Sequence, residues 1–473
     1  MNRGRRLRVV LVVAATLLLA PVSLHFVVGW IARLEPPRVS VERLSVDRSG
    51  GGLRRVGRST VRHRGSLLEA RLVGDAADVG YAHARLLLPE IVEVEQALYR
   101  GLQRRVPWWL ARTTLFDWAQ WRFRNLDESM SAARREELAG QALGFDPDPF
   151  TQVFPTYQRL VYLSALYDIG LSFERAPLVG CTTFVLPGAA GNRDVLLARA
   201  FDFEVDEVFD RSKVVFLVKE TNQIPFASVA WAGLVGVVSG MNVEGLTVVA
   251  HGARAGEHDL RGEPVVHELR RLLSRARTLD DALGALGERT PMVSHVLIVA
   301  DANGNAAAVE RVPGRDDHVR RLRPPAVVTN HFEGPSADDP KNRRVTETTS
   351  TLARRRRGEV LLRSLSTPAS VADAVALLRD RRDVDGESLP LGDRRAIDAL
   401  IAAHGIVAEP RSRSLWVSES PHLLGRFVRF DLPALLADGY DAKSDSAPPQ
   451  TIPADPLRNA EAYAQWRAER HAE

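Results

Sequence analysis

Cys181 carries the only thiol in 473 residues, and it stands in the stretch Gly180-Cys181-Thr182-Thr183-Phe184, followed by Arg199-Ala200-Phe201-Asp202. A thiol close to a cation is equipped for attack on an acyl carbon, because the positive charge favours the reactive thiolate. Gly180 has no Cβ, which lets the backbone bend and lets a neighbouring nucleophile reach its carbonyl carbon. The Gly180–Cys181 bond is therefore a candidate for self-cleavage. The competing reading of Cys181 is a small buried hydrophobe, the common fate of a free cysteine. Arg199 and Asp202 have a plainer reading too, as an ion pair on a strand surface.

These residues need elements that bring them together. Alternation at Thr182, Phe184 and Leu186 predicts one strand, Gly188 to Arg193 a hairpin turn, and Val195 to Phe203 the returning strand. That hairpin would carry Arg199 and Asp202 back beside Cys181.

Gly180-Cys-Thr-Thr-Phe184 with Ala198-Arg-Ala-Phe-Asp-Phe203 resembles the N-terminal-nucleophile hydrolases that include isopenicillin N acyltransferase and, more distantly, choloylglycine hydrolases and acid ceramidase. The resemblance extends from Glu69 to Ser418. It implies an α+β fold, a four-layer αββα sandwich of antiparallel sheets. It also implies a helical pro-segment, residues 59–180, that stays associated after cleavage with a catalytic region, residues 181–440.

The chemistry follows from what an amide demands: a nucleophile, a base and donors for the oxyanion. Cutting before Cys181 would give it an α-amino group of pKa about 7.7–8.0, poised to accept the thiol proton. By the resemblance, Arg199 tunes the thiol, Asp202 holds the α-ammonium, and Asn330, in Thr329-Asn-His-Phe332, donates to the oxyanion. The plainer reading of Asn330 is a turn residue capping a strand end. Asn242, in Gly240-Met-Asn-Val-Glu-Gly245, is expected to be structural, in a hairpin turn. Where bile-salt hydrolases carry a second oxyanion asparagine this chain reads Ala250-His-Gly252, so His251 or a backbone N–H must fill that place; His251 equally fits a core histidine. Arg344 loosely resembles a family arginine before a long helix, with Arg343 competing.

Net charge is only +4 with arginines scattered along the chain, which implies no nucleic-acid partner. There is no internal repeat, glycine-rich phosphate loop or metal-ligand spacing, so neither cofactor nor metal is expected. Arg3, Arg5, Arg6 and Arg8 precede an apolar run from Val9 to Trp30. A charged flank before a run of that length predicts an uncleaved membrane anchor, residues 1–36, in preference to the alternative of a cleaved signal peptide, with the catalytic domain outside the cytoplasm, periplasmic or extracellular. Residues 37–58, with Pro37 and Ser49-Gly-Gly-Gly52, read as a flexible tether, and residues 441–473 as a C-terminal tail.

Helices are expected over Ala76 to Arg104 with a break at Pro89, Ser131 to Gly140, Tyr157 to Leu171, Pro264 to Arg275, Leu279 to Leu286, Val345 to Leu365 and Val371 to Asp380. Strands are expected at Ser66 to Leu72, Val214 to Val218, Ala227 to Trp231, Val235 to Ser239, Leu246 to His251, Val296 to Ala300, Ala306 to Val312, Ala326 to Thr329, Gly405 to Ala408, Ser414 to Ser418 and Phe427 to Phe430. Pro107 to Leu126 interleaves Trp108, Trp109, Phe116, Trp118, Trp121 and Phe123 with Arg112, Arg122 and Arg124. This stretch suits a lipid surface, a lid over an acyl pocket, or a core-packed helix with solvated arginines.

The expected activity is that of a self-processing thiol hydrolase cleaving a non-peptide acyl amide of a small-molecule or lipid-like substrate through a Cys181 thioester. The alternatives are acyl transfer to an amine, a phospholipid esterase, and an inactive membrane-tethered binding module. Oligomeric state is not legible.

Overall fold

Strands whose side chains alternate between two apolar faces build two stacked sheets with helices on both outer faces. The computed structural model describes residues 22–48, 52–173, 180–188, 194–204, 206–445 and 447–472. Its strands, numbered along the chain, begin with β1 (Arg54–Val56), β2 (Ser59–Arg64), β3 (Leu67–Gly74), β4 (Gly180–Pro187) and β5 (Val195–Asp202). Next come β6 (Lys213–Glu220), β7 (Phe226–Trp231), β8 (Ser239–Asn242), β9 (Thr247–Gly252), β10 (His295–Ala300), β11 (Ala306–Arg311) and β12 (His318–Arg321). The last are β13 (Ala326–Val328), β14 (Ala402–Glu409), β15 (Ser414–Ser418), β16 (Phe427–Asp431) and β17 (Thr451–Ile452).

One sheet runs β1-β2-β3-β6-β7-β8-β9-β10-β11-β12 and the other β13-β4-β5-β14-β15-β16-β17. In β5, Val195 and Leu197 face the space between the sheets while Leu196, Ala198 and Ala200 face the helices outside. In β6, Val215 and Leu217 point inward and Val214, Phe216 and Val218 outward. Strands apolar on both faces are what a sheet covered on both sides requires. Helices Ala76–Arg105 and Val265–Arg275 cover the ten-stranded sheet, and Thr351–Arg363 and Val371–Leu378 the seven-stranded one. The expectation of purely antiparallel sheets fails at one place, since β3 runs parallel to β6. Strands more than a hundred residues apart in sequence meet there, with no hairpin to dictate direction.

Helix Ala76–Arg105 loses helical geometry at Leu87, two residues before Pro89, whose ring obstructs the preceding turn. It packs against Ala132–Gly144 at near-backbone distance. A Cβ on Gly80 would lie 1.8 Å from the Glu137 carbonyl oxygen, and one on Gly140 would lie 2.0 Å from that of Ala77.

Several expected elements differ. The 157–171 helix is two, Thr156–Ser164 and Leu166–Leu171, broken at Ala165. The 345–365 helix is also two, Pro340–Thr348 and Thr351–Arg363, parted by the extended backbone of Thr349. Residues 235–238 precede the strand rather than form it. The supposed tether contains β1, paired with β2, and the segment just before it buries Leu34, while the supposed tail adds β17 to the sheet edge and buries Tyr463. Among the described residues no helix is long and apolar enough to cross a membrane. Of the run expected to be an anchor, residues 9–21 lie outside the described residues and 22–31 are helical.

Candidate active site

Pairing of β4 with β5 sets Gly180 opposite Asp202, Cys181 opposite Phe201 and Thr183 opposite Arg199. Cys181 and Arg199 are completely buried and Asp202 nearly so. The Arg199 Nη2 donates to the Cys181 sulfur at 3.3 Å and to the Ala250 carbonyl at 2.6 Å. Its Nη1 donates to the Val238 carbonyl at 2.8 Å and to the Ser239 hydroxyl, and the guanidinium lies 4.5 Å from the Phe201 ring centre. The planar fork is thus fixed on the ten-stranded sheet while one nitrogen faces the thiol. Burial pushes the Cys181 thiol above its ordinary pKa, and the Arg199 charge works against that rise.

The Cys181 amide donates to Asn330 Oδ1 at 2.7 Å. Asn330 Nδ2 donates to the Gly252 carbonyl at 3.0 Å, and its backbone N–H donates to Thr351 Oγ1 at 2.9 Å. The amide oxygen of Asn330, not its N–H, therefore meets Cys181. The break between the helices at Thr349 is what sets Thr351 against Asn330.

The Asp202 carboxylate lies along Gly180: a Cβ built on that glycine would stand 3.0 Å from Asp202 Cβ and 3.1 Å from Oδ2. Among the described residues Asp202 Oδ1 has no hydrogen-bond partner. Burial pushes its carboxyl up to about 7, with Arg354 pulling it back.

Arg354 escaped the sequence reading. Its Nη1 donates to the Cys181 carbonyl and to Thr182 Oγ1 at 2.9 Å, and its Nη2 donates to Asn330 Oδ1 at 3.0 Å. It opens a run of four arginines, residues 354–357, which reads as a solvated charged face. The usable signal was helical spacing, since Arg354 and Arg357, three apart, are the buried pair of that run. Arg344 is not brought here; it is exposed on Pro340–Thr348.

His251 is buried on β9, its Nε2 2.7 Å from Thr183 Oγ1 and its Nδ1 3.2 Å from the Thr329 carbonyl. Burial, then the Arg199 charge, hold it well below the usual histidine pKa, so the ring is neutral. Asn242 ties the β8–β9 turn to the end of Val265–Arg275, donating to the Leu273 and Ala276 carbonyls at 3.0 and 2.8 Å. The hydrogen bonds of both go to residues other than Cys181. From Leu166–Leu171, the last described helix before Cys181, buried Tyr167 presents a phenol with no hydrogen-bond partner among the described residues, close enough for the Cys181 and Arg199 charges to act on it. Among the described residues no group of histidine, cysteine or acidic side chains could hold a metal ion.

Comparison with solved structures finds a Caenorhabditis elegans ortholog of N-acylethanolamine-hydrolyzing acid amidase, at 17% identity over 49% of this chain and 93% of that one, TM-score 0.37. Penicillin V acylase from Agrobacterium tumefaciens gives 18% identity over 58% and 100%, TM-score 0.36. A point mutant of conjugated bile acid hydrolase from Clostridium perfringens gives 11% over 58% and 97%, TM-score 0.38. Comparison with curated proteins gives no match. The family model for acyl-coenzyme A:6-aminopenicillanic acid acyl-transferase matches residues 189–389, a span that holds Arg199, Asp202, His251, Asn330 and Arg354 and begins eight positions after Cys181. Over that span the chain is similar to the acyl-coenzyme A:6-aminopenicillanic acid acyl-transferase family.

Proposed function

We propose that this chain is an N-terminal-nucleophile thiol hydrolase that cuts itself between Gly180 and Cys181 and then cleaves acyl amides other than peptides. The observation that carries the reading is the pair of contacts on Cys181: Arg199 Nη2 on its sulfur and Asn330 Oδ1 on its nitrogen. The sulfur attacks the Gly180 carbonyl carbon, the C–N bond breaks, and the nitrogen leaves as a protonated α-amine. Water then hydrolyses the thioester, giving a Gly180 carboxylate and a free thiol. The new ammonium sits between Asn330 Oδ1 and the Asp202 carboxylate, and Arg354 orients that asparagine. In turnover the amine, in its neutral form, takes the thiol proton, the thiolate attacks the substrate acyl carbon, the departing amine half carries the proton away, and water hydrolyses the resulting Cys181 thioester to release the acid and restore the thiol. Cys181 has no exposed surface, so substrate entry requires a rearrangement around it.

Asn330, expected as an oxyanion donor, accepts from the nucleophile's nitrogen with its oxygen, and of the two N–H donors on its Nδ2 one is given to the Gly252 carbonyl. In this reading residues 59–180 remain as the small chain and residues 181–440 form the catalytic chain. The matched family's name favours a second reading, in which an amine rather than water takes the acyl group from the thioester.

Intact mass decides the first step. The purified protein should give two fragments parting before Cys181, and Cys181→Ala one full-length chain. Cleavage persisting in Cys181→Ala would remove the thiol from the mechanism. Acyl exchange measured with and without added amine separates hydrolysis from transfer.

A further inference from the structure

Of helix Trp109–Arg122 only Gln120 is fully buried; Phe116 and Ala119 pack half-buried against the core and the opposite face is left open. Trp108 is 77% exposed, Trp109 70% and Trp121 48%, with Leu110 and Trp118 also open to solvent. Indole rings left in water at this density mark an interaction surface. Arginines gather around them. Arg104 and Arg105 close the preceding helix, the Arg124 guanidinium stacks 4.2 Å from the Trp121 ring centre, and Arg122 lies 5.4 Å from that of Trp118. The one acid on the helix, Asp117, is engaged by His25 Nδ1 at 2.7 Å.

That contact brings a second apolar element to the same place. Residues 22–31 are helical and leave Phe26 71% and Trp30 80% exposed. The chain beyond them is fixed to the domain: Val28, Ala32 and Leu34 are buried, and Gln158 Nε2 donates to the Ala32 carbonyl at 2.8 Å. The arginine-flanked apolar sequence that precedes them therefore joins the domain beside the exposed tryptophans. Behind Trp118, a groove of about 360 Å³ runs between Leu98, Leu102, Phe116, Phe154 and Phe173.

From this juxtaposition we infer that the Trp109–Arg122 helix and residues 22–31 form one docking face for an anionic phospholipid bilayer, the tryptophans entering the headgroup boundary and the groove receiving an acyl chain. Tryptophan seats itself at that boundary, with its ring among hydrocarbon and its N–H toward water. Arginines at the same level complement anionic headgroups. A groove of a few hundred Å³ lined by apolar side chains matches a hydrophobic ligand in size and polarity. The inference is independent of the chemistry at Cys181.

The test uses the full chain reconstituted into phosphatidylcholine–phosphatidylglycerol vesicles whose acyl chains carry bromine, a short-range quencher of indole fluorescence. Two variants are compared with the parent: Trp30→Phe, and the triple Trp108→Phe/Trp109→Phe/Trp121→Phe. The triple variant should lose at least half of the quenched intensity. Replacing phosphatidylglycerol by phosphatidylcholine should lower quenching in the parent at least twofold. Equal quenching in the parent and the triple variant, with loss in Trp30→Phe, would mean that the helix faces water or another protein and would overturn the inference. A triple variant with an altered far-ultraviolet circular dichroism spectrum is replaced by Trp109→Phe alone, read by the same comparison.

Discussion

At Cys181 two opposing effects meet. Burial raises the thiol pKa, and a guanidinium 3.3 Å away offsets part of the rise. Arg199→Lys keeps the charge but loses the fork that grips Val238, Ser239 and Ala250 while facing the sulfur. In the processed enzyme this substitution should shift alkylation of the thiol by a small electrophile to higher pH and lower amide turnover by about two orders of magnitude. An unchanged pH–rate profile with normal turnover would reduce Arg199 to scaffolding. Asp202 calls for a measurement on the uncut Cys181→Ala chain. Its carboxyl titrates near 7 in the fold against an ordinary value of 3.8. The folded state thus holds that proton more tightly than the unfolded one, and this contribution to stability is full below about pH 4 and lost as pH rises through 7. Asparagine does not ionise, so Asp202→Asn should gain stability over its parent between pH 5 and pH 8, on the order of 3 kcal/mol, as read from denaturant midpoints. A constant difference across that range would refute the titration.

Helix and strand legibility divides along physical lines. Leu279–Leu286 is found as expected because its ends are written locally: Thr278 and Asp281 form a reciprocal capping box. Ser414–Ser418 is found because it is short, apolar and bounded by turn residues. The breaks at Ala165 and Thr349 are not legible, since no glycine or proline marks them and tertiary contacts make them. Of the site, Cys181, Arg199 and Asp202 could be brought together from a single hairpin. Arg354 could not, because its partners lie on β4 and beside β13, and a charge run predicts solvent. The Ala76–Arg105 and Ala132–Gly144 pair carries its own test. Gly140→Ala would press a methyl onto the Ala77 carbonyl from 2.0 Å. It should cost about 3 kcal/mol in denaturant midpoint, whereas Gly101→Ala, whose new Cβ would meet only an arginine terminus at 3.5 Å, should be neutral or stabilising. Equal midpoints for the two would show that the helices can part without cost.

Over the whole molecule, residues on both sides of Cys181 share one sheet. β1, β2 and β3 precede it, and β3 joins the rest by seven residue pairs with β6, from Leu68 opposite Val214 to Gly74 opposite Glu220. The two fragments of a processed chain should therefore co-elute as one particle in native buffer and separate only in denaturant; release of the small fragment without denaturant would contradict that register. This join also alters the thermodynamics of survival. Before the proposed cut, refolding is unimolecular and the strands find each other at a concentration set by the chain. Afterwards the same pairing becomes an association of two molecules, its midpoint of unfolding rising with protein concentration. Since the peptide bond is not remade, a processed molecule that dissociates in dilute solution has lost the tether under which it folded, and its persistence becomes a rate rather than an equilibrium.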